Sequence, residues 1–323
     1  MDNVGPRTLE EFQGQESLVE ALKDTIHGPL LRGAMVPHFA LFGPGGSGKT
    51  TLCKLLAREA GSDLVETTGK QLPKYETFLD LVVQQKRGSF VLIDEAHTIK
   101  SSVRDAMLPF LQDHLISGHI CEVWDDKSGK KVLKNFKANK QYVTIVIATT
   151  DVGKIGGIDS PFVQRFIDFY LSPYSEETMR KIGNNYVCQR RLKIEPEALD
   201  ALVARCRNVP RVLKKLINRC IYHLDARQIQ TRAISISVVE KAMELADIDL
   251  LGLRQIDRRY LEALRITDRS VKSLASCLRE TEENIINDIE PYLLELGFVD
   301  IEHRRKLALA GKNYFSNLAM KED

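Results

Sequence analysis

One short stretch constrains this chain more than any other. Gly43 to Thr50 reads G-P-G-G-S-G-K-T and follows directly on the apolar run His38 to Phe42. It fits the pattern G-x-x-x-x-G-K-[ST], and each residue type in it has a physical role. Glycines let backbone N–H groups converge on phosphate oxygens with no Cβ in the way. Lys49 brings a point charge for β- and γ-phosphates, and the Thr50 hydroxyl is a candidate ligand for Mg²⁺. A helix over Thr50 to Glu59, ending before Gly61, would aim its positive end at the same anion. Gly43, Pro44, Gly45, Gly46, Ser47, Gly48, Lys49, Thr50 and Thr51 are therefore candidates for binding ATP. The alternative is a glycine-rich turn that holds no ligand.

Asp94 and Glu95 close a second apolar run, Phe90 to Ile93. This is the Walker B arrangement: Asp94 would hold Mg²⁺, directly or through water, and Glu95 would orient and polarise the attacking water. Taken alone, a solvated turn explains such a pair equally well; beside a phosphate loop it reads as the acidic half of a nucleotide site. Ala96 and His97 complete the letters D-E-A-H, which by themselves do not prove a helicase of that name. His97 is placed to sense nucleotide, with an ordinary surface or core histidine as the alternative.

Tyr142 to Ala148 (Y-V-T-I-V-I-A) is a third strand, rich in β-branched residues. Strands alternating with helical patterns predict an α/β fold with a parallel sheet. After about Leu171 the pattern turns helical. Ser175 to Arg190, Glu195 to Arg205 and Pro210 to Leu224 read as a helical lid, and Ile234 to Ala246 adds a helix opened by Ser237. Asp247 to Leu253 is the next boundary. Beyond it, Val271 to Leu278 and Glu282 to Leu294 predict two helices joined by a turn. Leu274, Leu278, Ile285, Ile289 and Leu293 repeat at helical spacing there and belong in a core. A strand-like end, Gly297 to Leu309, would form a wing with Arg304, Arg305 and Lys306 at its tip. The division expected is residues 1–171, 172–249 and 250–323.

Composition mainly excludes. With 43% hydrophobic and 28% charged residues in 323, the chain can bury a core and is neither disordered nor collagen-like. No apolar run approaches the roughly 20 residues that span a bilayer, so no membrane partner is expected. Met1 to Gln15 lacks the apolar region of a secretory signal. Cys53, Cys121, Cys188, Cys206, Cys220 and Cys277 form no C-x-x-C pair and no cluster with histidine. That argues against a structural zinc and a disulfide framework, and fits a reducing, cytoplasmic setting. A formal net charge of +2 leaves nucleic-acid binding to local basic clusters.

Read together, these residues resemble the RuvB family, the Holliday-junction branch-migration motors among the AAA+ ATPases. The resemblance opens at Arg7-Thr8-Leu9 and Phe12-Gln13-Gly14-Gln15, and runs through L-F-G-P-x-G-x-G-K-T-T and I-D-E-x-H. It continues at Ala148-Thr149-Thr150, Ser160-Pro161, Arg165-Phe166 and Val209-Pro210-Arg211. The most specific segments come last: Leu250-Leu251-Gly252-Leu253, Asp257-Arg258-Arg259, Glu290-Pro291-Tyr292-Leu293 and Gly297-Phe298. The resemblance implies an AAA+ ATPase domain, an all-α lid and a C-terminal winged-helix domain, assembled as a hexameric ring on duplex or branched DNA. It also implies roles. Thr150 matches the sensor-1 polar residue, Arg165 the arginine finger that reaches a neighbour's site, and Pro210-Arg211 the sensor-2 segment. Tyr174 matches the adenine-contacting tyrosine, with hinge packing as its rival. Arg304 and Lys306 match basic residues of the wing, whereas Arg305 and Ile301 do not.

Departures from the family pattern are equally specific. Gly5, Val163 and Asp151 stand where the family has arginines, and Asn208 replaces a glycine. Ser117 to Gln141 departs most. It predicts a hairpin, Ile120 to Trp124 against Val132 to Phe136, turning through Asp125 to Gly129 with Lys127, Ser128 and Gly129 as turn residues. In the family this hairpin grips RuvA. Here it carries Lys130, Lys131, Lys134, Lys137 and Lys140, which suits a RuvA-like or other protein partner, DNA phosphates, or simply a solvated edge. The leading expectation is an ATP-driven, ring-forming DNA motor of recombination and repair. Its rival is an ATPase switch that remodels a protein partner in a phage, mobile element or defence system.

Overall fold

The structure is a computed structural model that describes residues 4–125, 130–228 and 233–322. Lys127, Ser128 and Gly129, expected to turn the hairpin, lie outside the described residues. The chain divides into two units, residues 1–182 with Val209–Arg211, and residues 183–208 with 212–323.

The first unit is built on a five-stranded parallel sheet. Its strands are β1 (Phe39–Phe42), β2 (Leu64–Thr68), β3 (Phe90–Asp94), β6 (Thr144–Thr149) and β7 (Ile167–Tyr170), in the order β2-β3-β6-β1-β7. The three inner strands are apolar because both faces are covered. Successive side chains point to opposite sides. Ala40, Phe42, Val91, Ile93, Ile145 and Ile147 enter one layer, with α3 (Tyr75–Val83) and α4 (Ser101–Asp113) over it. Phe39, Leu41, Phe90, Leu92, Val146 and Ala148 enter the other, under α1 (Glu16–Leu31) and α2 (Lys49–Glu59). The edge strands β2 and β7 escape the sequence reading. L-V-E-T-T and I-D-F-Y are short and mixed in polarity, as half-exposed edges are.

Between α4 and β6 the chain forms an antiparallel hairpin of β4 (Leu115–Asp125) and β5 (Lys130–Lys140). It is longer than the sequence suggests, since the ladder starts at Leu115 opposite Lys140. Ile116 and Phe136 are buried in the first apolar layer and root the hairpin there.

α5 (Glu176–Gln189) runs from the first unit into the second. There α6 (Pro196–Arg205), α7 (Pro210–Ala226) and α8 (Ile236–Leu245) follow, with a small parallel bridge of β8 (Lys193–Ile194) and β9 (Ala233–Ile234). The residue preceding α8 is Ser235, not Ser237, which lies within its first turn. A separate core joins α9 (Gln255–Ile266), α10 (Val271–Leu278), α11 (Glu282–Asn284), a π-turn over Ile285–Ile289, and α12 (Glu290–Glu295). Leu274, Leu278, Ile285, Ile289 and Leu293 are buried in it as their spacing predicts. The wing is β10 (Val299–Ile301) paired with β11 (Arg305–Leu307), and α13 (Leu309–Glu322) closes the chain. The chain is a parallel-sheet P-loop fold followed by helices and a winged helix, and no helix among the described residues is long and apolar enough to cross a membrane.

Candidate active site

Parallel strands deliver the residues after them to one edge of the sheet, and the candidate site lies at that edge. β1 leads into the phosphate loop, β3 ends on Asp94, and β6 ends beside Thr150. The loop is tightly enclosed. Gly46 has φ +80°, and a Cβ there would lie 2.8 Å from Val209 Cγ1 and 3.0 Å from Arg211 Cβ. Gly48 has φ +105°, and a Cβ would meet the Phe12 ring at 3.0 Å. Only glycine fits either position, since backbone conformation and space both exclude a side chain. The first of these contacts also shows that Val209 and Arg211, distant in sequence, pack on the loop. Pro210 lies between them at the start of α7, where its missing N–H costs no helical hydrogen bond.

Inside this cradle Lys49 is buried, and its Nζ donates to the carbonyls of Gly43 at 2.8 Å and Pro44 at 2.9 Å. Burial pushes its pKa down to about 8; the Arg211 cation adds to that and the Asp94 carboxylate opposes it. Ser47 is also buried, and its Oγ has no hydrogen-bond partner among the described residues. Pro44 and Gly45 are exposed at the mouth, and Thr51 is half-buried in the first turn of α2.

Thr50 Oγ1 donates to Asp94 Oδ2 at 2.7 Å, and the Glu95 amide donates to Asp94 Oδ1 at 2.8 Å. Both carboxylate oxygens are thereby fixed. Glu95 itself is exposed and sits at φ 49°, a left-handed conformation that a non-glycine residue adopts at a cost. Thr98 holds it there, donating to the Glu95 carbonyl from its amide at 2.9 Å and its hydroxyl at 2.8 Å.

The structure also places the residues beyond the loop that the sequence singles out. Thr150 is exposed, and its hydroxyl has no protein partner among the described residues. It is Thr149, buried, whose Oγ1 pairs with His97 Nδ1 at 3.0 Å, tying the turn after β3 to the end of β6. The Tyr174 hydroxyl donates to the Ser47 carbonyl at 2.7 Å, and burial pushes its pKa up to about 12. Tyr174 is thus a brace of the loop. Phe12 is a second brace that the sequence singled out only within a family segment.

Arg165 is not gathered with these groups. It ends a short turn, Val163–Arg165, ahead of β7, and its Nη2 donates to Gln112 Oε1 at 3.2 Å. Its Nε is buried without a partner, and no carboxylate pairs with it among the described residues.

The wing divides the three cations that the sequence places together at its tip. Arg304 is exposed in the turn, and its side chain has no partner among the described residues. Arg305 lies in β11 and is not a tip residue. Its guanidinium donates to buried Glu290 at 2.8 and 3.3 Å, and Tyr260 donates to the same carboxylate at 2.9 Å. Neighbouring strand residues face opposite sides, which is why Arg305 turns inward while Lys306 turns out to pair with Glu302 at 2.7 Å.

Comparison with known proteins agrees with this geometry. The family model for the Holliday junction DNA helicase RuvB P-loop domain matches residues 4–170, and that for the RuvB C-terminal winged helix domain matches residues 250–316. The chain belongs to the RuvB family. It is a P-loop ATPase of that family and so binds nucleotide. A curated relative, the Holliday junction branch migration complex subunit RuvB of Methanoregula boonei, is 32% identical over 299 residues, covering 91% of this chain and 86% of that protein. The solved RuvB Holliday junction branch migration motor of Thermotoga maritima superposes with a TM-score of 0.82 at 26% identity, covering 97% of this chain and 98% of that one. The ORC2 protein of Aeropyrum pernix, at a TM-score of 0.57 and 15% identity, shares the fold alone.

Proposed function

We propose that the chain is an ATP-driven DNA motor that works as a hexameric ring, translocating duplex DNA at branched junctions during recombination and repair. Its parts are an ATPase domain at residues 1–171, a lid at 172–249 and a winged helix at 250–323. The observation that carries the reading is a site complete except for one charge. Lys49, Thr50, Asp94 and Arg211 converge on one loop, while Arg165 bonds to none of them and has no counter-ion among the described residues.

The residues fit ATP and Mg²⁺. Gly46 and Gly48 leave no room for side chains, a buried Ser47 hydroxyl has no partner among the described residues, and a hydroxyl and a carboxylate at 2.7 Å form a hard oxygen pair. Thr50 and Asp94 would hold Mg²⁺, which when bound neutralises charge on the phosphates. The loop amides and Lys49 hold the β- and γ-phosphates. Glu95, exposed beside Asp94, orients the attacking water and accepts its proton. Thr150 bonds that water or the γ-phosphate with its unpartnered hydroxyl. Arg211 senses the phosphates at the point where the chain passes into the second unit. Arg165 enters the site of the neighbouring subunit and stabilises charge developing on the transferred phosphoryl group, so that chemistry requires assembly.

DNA contact falls to the exposed end of the wing. Arg304 is free to meet phosphates, which gives affinity without sequence reading, as a translocating motor needs. The hairpin of β4 and β5 is the docking place for a RuvA-like partner, with Ile120 and Leu133 exposed on it at 56% and 75%. The test is ATPase activity of the purified protein with duplex and branched DNA, alongside junction dissociation. DNA-stimulated hydrolysis that disappears in Lys49→Ala is expected; no hydrolysis with either DNA would overturn the reading.

A further inference from the structure

Asp80, His119 and Cys121 stand outside the nucleotide site and have no role in it. His119 and Cys121 are two residues apart on β4, so their side chains share one face of the strand. Phe136, opposite His119, is buried in the apolar layer to which Cys121 also packs. Asp80 rises to meet them from α3, thirty-nine residues before His119. The imidazole Nε2 lies 3.0 Å from Asp80 Oδ1, and one ligand atom from each of the three side chains falls within 4.8 Å of the others. Among the described residues this is the one place where three side chains of metal-binding type converge.

We propose that Asp80, His119 and Cys121 form a zinc site at the root of the hairpin, with water in the fourth position. The chemistry of the set selects the metal. A thiolate, an imidazole and a carboxylate are the sulfur, nitrogen and oxygen donors that zinc takes tetrahedrally, while magnesium and calcium take oxygen alone. Zinc holds such donors at about 2.0–2.3 Å, which spaces them about 3–4 Å apart. The three ligand atoms, within 4.8 Å of one another, would close to that spacing on binding. Without metal, the Asp80 carboxylate bonds both the imidazole and the Cys121 thiol and so also fixes β4 to α3; metal titration separates that arrangement from a coordinated one. On coordination the Cys121 thiol releases its proton to solvent, and the metal joins β4 to α3. The sequence reading argues against zinc because it finds no C-x-x-C and no histidine cluster; His119 and Cys121 give only H-x-C, and the third group comes from a separate helix.

The experiment uses the full chain, reduced and freed of metal by chelation, titrated with Co²⁺ alone and then with Zn²⁺. One equivalent of Co²⁺ is expected to give visible d–d bands and a thiolate-to-cobalt absorption in the near ultraviolet, both removed by Zn²⁺. Cys121→Ser, a conservative change at a half-buried position, should abolish the thiolate band and weaken binding by more than about 100-fold. His119→Ala should weaken it similarly, with circular dichroism confirming its fold. The double variant Cys188→Ser, Cys277→Ser, which removes the exposed thiols, should behave as the parent. Absence of binding in the parent, or a thiolate band that survives in Cys121→Ser, overturns the proposal.

Discussion

The phosphate loop and the joint around Asp257 both carry family signatures, yet they treat charge in opposite ways. At the loop, Glu95, Arg211 and Thr150 are exposed, and away from it Arg165, bonded to Gln112, has no carboxylate partner among the described residues. In the second unit, Asp257 is fully buried and satisfied several times over. Arg207 pairs with it, Arg254 donates to it at 2.9 Å from both Nε and Nη2, and the Arg254 amide caps it at 2.7 Å. Gly252, from the same signature, has φ +72°, and a Cβ there would lie 2.3 Å from the Arg205 carbonyl. The loop's outer groups, Glu95, Arg211 and Thr150, are left exposed. Those of the joint close the protein on itself. A family motif can therefore mark chemistry or packing, and the satisfaction of its charges tells which.

Substitutions should separate the two regions sharply. Lys49→Ala is expected to lower ATP turnover by at least about 100-fold, because it removes a preorganised cation from the phosphates, while leaving the melting temperature nearly unchanged. A comparable loss of stability would break the comparison. Asp257→Ala should do the reverse, destabilising the second unit by about 3 kcal/mol, because it removes a buried carboxylate, leaves the partly buried Arg207 without its counter-ion and strips Arg254 of two hydrogen bonds, as read by denaturant unfolding.

The acid response sharpens this point. Burial pushes the Asp257 carboxyl up, but hydrogen bonds from Arg254 and the nearby Arg207 outweigh burial and hold it below the usual aspartate value. Its stabilising contribution is therefore complete above that value and is lost as pH falls through it toward the folded-state pKa. Asp257→Asn should flatten that limb of the stability–pH curve; an unchanged acid limb would show that the joint's charge is not coupled to folding.

The wing supplies a smaller contrast. Arg305→Ala should destabilise the winged helix by about 3 kcal/mol, since it strands Glu290 in the core. Arg304→Ala should leave stability alone and lower the salt-dependence slope of DNA binding by about 1. Equal effects of the two on DNA binding would mean that Arg305 is not held inward as seen.

The nucleotide-binding half of this arrangement is legible in the sequence because spacing is the mechanism: a strand, a glycine-rich turn, a lysine and a hydroxyl work only in that order. Asp94 and Glu95 are legible for the same reason. What stays hidden depends on partners far along the chain. Nothing in E-H-R-R-K shows that Arg305 faces Glu290, and nothing in A-T-T shows that the first threonine bonds His97 while the second has no side-chain partner among the described residues. The resemblance supplies a nucleotide role for Tyr174, but only the structure shows its hydroxyl on the loop carbonyl. Edge strands β2 and β7 are missed because half-exposed strands lack the continuous apolar run that identifies inner ones.

The central claim is that a subunit's site is completed by Arg165 of a neighbour. It is tested most directly by mixing two inactive variants, Arg165→Ala and Lys49→Ala, and measuring ATP hydrolysis. The first keeps an intact loop and the second an intact finger, so mixed assemblies should recover turnover that neither variant shows alone. If the two variants co-assemble and the mixture stays inactive at every ratio, the claim is contradicted.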